Sequence, residues 1–296
     1  MTAAISAGAN QSAGHRADRN RPEQQTSLAT MMVHVDVEHD CEQRIQLALG
    51  LADRFRATLI GVAGLALRPA FSAGSVVVYA EPTQDDLKTV TSRLDVVGKK
   101  FRAQGQCLKQ IEWRSALEFP NELISREARA ADLVIVGSRQ ADGHSFVDPG
   151  VILLGAGRPV MVVPEIAPPL QLHRVVVAWK DTRESRRAVR DALPLLQEAK
   201  EVLLVEIGED ASKSGAKKTL ADIAAYLVRH RVIVADQIWR RARGPAATEL
   251  LDLVRDEKAD LIVAGGYGHS RLGEWVFGGV THALLASSPV CCMLSH

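Results

Sequence analysis

Ala131-Asp-Leu-Val-Ile-Val-Gly137 returns later in the chain as Ala259-Asp-Leu-Ile-Val-Ala-Gly265. Each is a short, continuous apolar run closed by a glycine, the pattern of a strand buried on both faces of a parallel sheet. The pairing extends outward in both directions. Upstream, Met32-Val-His-Val-Asp36 matches Val176-Val-Ala-Trp-Lys180, an offset of 176 − 32 = 144. Without a gap, Cys41, Ile45, Ala48, Leu49 and Ala52 then fall on Ser185, Val189, Ala192, Leu193 and Leu196. Those steps trace one apolar face of a helix. Downstream, each half finishes on a proline-led strand, Pro159-Val-Met-Val-Val-Pro164 and Pro289-Val-Cys-Cys-Met-Leu294.

Between these anchors the periodicity predicts a second strand at 57–63 and 201–207, then a long helix at 84–104 and 217–231. Edge-type strands at 108–113 and 232–239 follow, with a last apolar helix at 280–286. Strands alternating with helices imply right-handed crossovers and a doubly wound parallel sheet. The chain is therefore read as α/β, two tandem copies of one domain, with cores of Val, Leu, Ile and Ala. Glu165-Ile-Ala-Pro-Pro-Leu170 is a stiff linker, so the domains are placed at 28–166 and 167–296. Residues 1–27, rich in Ala, Ser, Gly, Asn, Gln and Arg, are expected to be a disordered tail, with an overlong start as the other reading.

Composition narrows the partners. Lys+Arg 36 against Asp+Glu 35 gives a formal charge of +1, which supplies no electrostatic case for nucleic acid or a membrane surface. No apolar run approaches the about 18–20 residues of a membrane helix, or the about 7–15 of a signal peptide within the first 27 residues. The expected location is cytoplasmic. Cys41, Cys107, Cys291 and Cys292 have no ligand spacing and read as reduced thiols.

After the second Ala-Asp-Leu strand comes Gly265-Gly-Tyr-Gly268-His-Ser-Arg-Leu-Gly-Glu-Trp-Val-Phe-Gly278-Gly279-Val280-Thr281. Gly265 and Gly268 let the backbone approach a ligand closely and turn amide N–H groups toward it. Gly278 and Gly279 open a helix whose free N–H groups and dipole favour an anion. His269, Ser270, Arg271 and Thr281 add donors. Glycines that only turn the chain and pack a helix would leave the same spacing, and both readings stand at this point.

The loop resembles the G-2x-G-9x-G-(S/T) signature of the universal stress protein (UspA) family, over about residues 28–296 in tandem form. The resemblance implies a flavodoxin-like, adenine nucleotide α-hydrolase-like sheet of order 3-2-1-4-5 in each copy. It also implies ATP or another adenine nucleotide, with or without Mg²⁺, on Gly265, Gly268, Gly278, Val280 and Thr281. Two positions depart. Gly279 stands at the motif's Ser/Thr, and Lys180 stands at the first-strand aspartate, with Asp181 next. A lysine cannot accept the hydrogen bonds of a carboxylate, though it can pair with phosphate. The first copy keeps Asp36 at that aspartate position, but its loop carries Gln140 and Val151 where Gly268 and Gly279 stand. It is read as degenerate.

His34, Asp36, Glu38, His39, Asp40 and Cys41 resemble a metal cluster on paper, yet a helix-capping turn explains them better. Arg183, Arg186, Arg187 and Arg190 read as a solvated helix face. No nucleophile–base pair or paired carboxylates stand out, so catalysis is expected to be absent or limited to slow ATP hydrolysis. The expected function is a stress-response protein that binds a nucleotide in its second copy and signals to a regulatory protein. The alternative is an interaction module whose glycine loop is structural. Apolar terminal strands at sheet edges imply that the two copies pair as a pseudo-dimer, and a homodimer of chains is compatible with this.

Overall fold

The computed structural model describes residues 28–67, 71–73, 76–78, 83–138, 147–166, 169–208, 213–268 and 279–296. In the first half, β1 (Thr30–His34), β2 (Thr58–Gly64), β5 (Ile111–Ala116), β6 (Leu133–Gly137) and β7 (Val160–Val163) are parallel. In the second, β8 (Arg174–Ala178), β9 (Glu201–Gly208), β10 (Val234–Arg241), β11 (Leu261–Gly265) and β12 (Cys291–Ser295) repeat the arrangement. The order is β10-β9-β8-β11-β12-β7-β6-β1-β2-β5, so each half reads 3-2-1-4-5.

The halves join through their last strands. β12 and β7 pair antiparallel, Cys292 with Val162, Met293 with Met161 and Leu294 with Val160, so ten strands form one sheet. This is the edge pairing expected from the apolar terminal strands. The core ignores the seam. On one face Val33 and Met161 cluster with Val177 and Met293, and on the other Val134 and Val162 cluster with Ile262 and Cys292.

Helices cover both faces: α1 (Glu42–Phe55), α2 (Gln84–Gln104), α3 (Pro120–Glu127) and α4 (Pro149–Gly155) in the first half. The second half has α5 (Arg183–Asp191), α6 (Leu193–Glu198), α7 (Lys213–Arg229), α8 (Ala246–Asp256) and α9 (Gly279–Ser287). The predicted inner face of α1, Ile45, Ala48, Leu49 and Ala52, is buried. The repeated Ala-Asp-Leu has a local cause. Asp132 Oδ2 accepts the N–H groups of Ala29 and Thr30 (both 2.9 Å), and Asp260 Oδ2 those of Gln171 (3.2 Å) and His173 (3.0 Å). Each aspartate thus ties the chain entering the first strand of its copy to the start of the fourth.

Three details differ from the sequence expectation. The helix after β8 breaks at Ala192, because Pro194 offers no N–H and fits only the first turn of a new helix. The edge strands begin later, since Leu108 belongs to the turn after α2, its N–H bonded to the Gly105 carbonyl (3.0 Å), and Val232 to the end of α7. Arg231 is left-handed (φ 63°) and Val232 returns its N–H to Leu227, so Val232 closes α7 rather than opening β10. A short antiparallel hairpin, β3 (Phe71–Ala73) with β4 (Val76–Val78), stands between β2 and α2.

Candidate functional site

Ligands in open parallel sheets bind beyond the carboxyl ends of the strands where the order reverses. In the second half that place is the end of β8, which lies between β9 and β11. The turn into α5 and the loop after β11 meet there. A Cβ on Gly265 would lie 2.5 Å from the Ser185 nitrogen and 2.7 Å from the Glu184 carbonyl carbon, so only glycine lets the loop lie against the start of α5. Thr281, buried in the first turn of α9, accepts the Tyr267 N–H (3.3 Å) and draws the loop toward that helix. Thr182 caps α5 by accepting the Ser185 N–H (3.3 Å). Gly265, Gly268 and Thr281 are therefore brought together with two helix N-termini.

The remaining predicted residues divide. Gly279 is exposed at the start of α9, and Val280 is half-buried against the core. Lys180 and Asp181 are exposed in the turn after β8, and Asp181 pairs with Arg186 (3.6 Å). The Lys180 charge is felt by Glu206, whose carboxyl burial and Asp181 nevertheless push above its ordinary pKa. His269, Ser270, Arg271 and Gly278 lie outside the described residues, as does Gln140.

Two residues escaped the sequence reading. Glu184 is almost fully buried (1% exposed), pairs with Arg183, and leaves Oε2 without a hydrogen-bond partner. That oxygen lies 3.2 Å from where a Gly268 Cβ would sit. Burial pushes the Glu184 pKa up, but Arg183 and its own backbone N–H hold it below the usual carboxylate range, so it is charged at neutral pH. A first-turn glutamate is an ordinary helix-dipole partner, which is why the sequence gave it no prominence. The second residue is Tyr267, a bulky side chain held at φ 53°, where such residues are rare. Its ring lies edge-on to His296 (6.5 Å between centroids), whose Nδ1 is 3.2 Å from the Gly266 carbonyl. Its position between two glycines was the available signal.

The corresponding place in the first half is built differently. Arg44 lies against Gly137, its Nε donating to the His34 carbonyl (2.9 Å). Burial and Arg44 push the His34 pKa down to about 3, so the imidazole is neutral. Asp36 accepts the N–H groups of Glu38 (2.8 Å) and His39 (3.0 Å), so it closes the turn before α1 and does not cap that helix as expected; the N-cap, Cys41, makes no side-chain capping bond.

The profile of the universal stress protein family matches residues 171–296. No curated protein matches the chain. Among solved structures, the chain is similar to a universal stress protein from Archaeoglobus fulgidus DSM 4304, at 16% identity and a TM-score of 0.66, over 90% of this chain and 95% of that one. It is also similar to a functionally unknown protein from Pseudomonas aeruginosa PAO1, at 13% identity and a TM-score of 0.56, over 90% of this chain and 92% of that one. Likeness at such identities speaks for the fold alone, and it spans both halves. Residues 171–296 match the universal stress protein family, and the first half shares the fold of these structures.

Proposed function

We propose that the chain binds one adenine nucleotide, ATP first among them, on the glycine loop of its second copy, and acts as a cytoplasmic stress-response sensor rather than by turnover. The observation that carries this reading is the close seating of Gly265 on the start of α5, beside Gly268 and Thr281, at the strand-order reversal. Backbone N–H groups and two helix dipoles converge there on a position suited to phosphate. Mg²⁺ would enter with the nucleotide's phosphates. We place the domain boundary between residues 166 and 167, and the partner that reads the nucleotide state is a regulatory protein.

One observation favours the second reading, a protein-interaction module with a structural glycine loop. The charged Glu184 carboxylate lies beside Gly268, where a phosphate oxygen would be repelled. Calorimetric titration of ATP into wild type and Gly268→Val separates the two. Binding by the wild type that the valine abolishes supports the nucleotide site. Undetectable binding at millimolar ATP favours the interaction module, and binding that survives the valine puts the site elsewhere. Phosphate release over hours tests for slow hydrolysis.

A further inference from the structure

The two copies treat one groove differently. In the first, side chains lace the groove between α1 and α2. Glu42 accepts from Gln46 (2.9 Å) and Gln104 (2.6 Å) and pairs with Lys100 (3.4 Å), while Glu38 pairs with Arg93 (3.6 Å). In the second copy, the offset of 144 puts Arg186 where Glu42 stands and Arg190 where Gln46 stands. Setting the buried Leu94, Gly98 and Phe101 of α2 on the buried Leu220, Ala224 and Leu227 of α7 puts Tyr226 where Lys100 stands. The acid has become a cation, and its cationic partner a phenol.

Among the described residues no side-chain hydrogen bond or ion pair joins α5 to α7. Between them lies a cavity of about 420 Å³, lined by Trp179, Arg186, Arg190, Thr219, Asp222 and Tyr226 among others. Trp179 is a fixed surface, 6% exposed, its indole N–H donating to Thr219 Oγ1 (3.3 Å). Arg186 is partly engaged, Nε with the Thr182 carbonyl (3.0 Å) and a terminal nitrogen with Asp181 (3.6 Å). Arg190 and Asp222 line the cavity, and the Arg190 charge also acts on the carboxyl of Asp191 beside it.

We propose that this cavity binds a small aromatic acid, its carboxylate toward Arg190 and Arg186 and its ring against Trp179 and Tyr226. Asp222 on the opposite wall accepts an N–H or O–H of the ligand. The size suits a small molecule, since such sites run about 300–1,000 Å³ with apolar and aromatic walls and a few placed polar groups. A guanidinium pairs a carboxylate through its planar fork. The first copy sets an acid, Glu42, at this place in the groove, whereas the second sets Arg186 there with Arg190 one turn on, and Arg186 has an acidic partner, Asp181. A bare anion would make no use of the aromatic wall of Trp179 and Tyr226, and a neutral arene would leave the guanidinium unmatched. Asp181, beside the first-strand position of the nucleotide reading, lines the cavity, whereas Gly265, Gly268 and Thr281 do not, so the inference rests on the α5–α7 groove and not on the glycine loop.

The test is calorimetric and ligand-observed NMR titration of the full chain with 2-naphthoate and with 2-naphthamide. The wild type is expected to bind the acid saturably, at least about tenfold more tightly than the amide, the worth of one charge-assisted hydrogen bond. Arg190→Ala is expected to lose about the same factor. The double variant Arg186→Glu with Tyr226→Lys installs the lacing of the first copy and is expected to bind neither compound. Circular dichroism checks that both variants fold. No saturable binding by wild type, equal affinity for acid and amide, or unchanged binding by the folded variants would each overturn the proposal. Displacement of 2-naphthoate by ATP would instead make the cavity part of a nucleotide site and overturn its independence.

Discussion

Met161 and Met293 face one another where β7 meets β12, both with no exposure and both in one core cluster. Replacing either by alanine removes the side chain beyond Cβ from a position with no water to fill the space. Such truncations cost about 2–5 kcal/mol each, a large share of the about 5–15 kcal/mol that holds a domain. Because the pair is in direct register, the second truncation only enlarges a cavity that the first has opened. The double variant should therefore lose less than the sum, with a coupling of about 0.5–3 kcal/mol. Urea unfolding followed by circular dichroism and by tryptophan fluorescence measures this. One transition is expected by both probes, since each core cluster contains residues of both halves. Additivity within about 0.5 kcal/mol, or two transitions of which only one moves, would refute the shared core.

Glu184→Gln should tighten ATP several-fold by removing the charge beside Gly268, with Mg²⁺ chelated; unchanged affinity in calorimetry would mean that the phosphates lie elsewhere. Burial pushes the thiols of Cys291 and Cys292 up to about 12, whereas Cys107 is exposed. Iodoacetamide at mildly alkaline pH should therefore label Cys107 and spare the other two until the chain is denatured, and early labelling of Cys292 by mass spectrometry would contradict the burial. Burial raises the Glu127 carboxyl, but Arg114, Arg129 and Arg126 outweigh it and hold the pKa below 4.5. A depressed folded-state pKa contributes stability that is present above the unfolded value and lost as pH falls through the folded one, so Glu127→Gln should flatten the acid limb of stability against pH. An unchanged limb would show the ion-pair cluster to be idle.

The repeat was legible because its signals are periodic and local. Apolar runs, the face of α1 and the proline-led last strands each follow from one rule, and the Asp of Ala-Asp-Leu recurs because it makes the same bonds twice. What escaped depends on competition between neighbours. Val232 is apolar enough to open a strand, yet the left-handed Arg231 turns it into the hydrophobic stop of α7. Pro194 was visible, but the burial of Leu193 and Leu196 on either side kept the helical period intact across the break. The site was legible in its glycines and opaque in Glu184, because only the packed turn brings a first-turn side chain beneath a loop some eighty residues away.

The asymmetry between the copies has a physical form. Gly150 keeps the same distance from Gly137 (150 − 137 = 13) that Gly278 keeps from Gly265 (278 − 265 = 13), which by sequence reads as a remnant of a phosphate loop. A Cβ there would run into the Tyr267 hydroxyl, which belongs to the second copy's loop. A Cβ on Gly266 would likewise meet Leu153 of α4 at 2.5 Å. The first copy's last helix thus serves as a wall for the second copy's glycine loop, with Gly150 supplying room for a neighbour. Arg44 against Gly137, a neutral His34 and an Asp36 whose Oδ1 is held by the Glu38 and His39 N–H groups complete the change, because each has a partner inside the chain. One site per chain, rather than two, is what such a division of labour between duplicated halves supports.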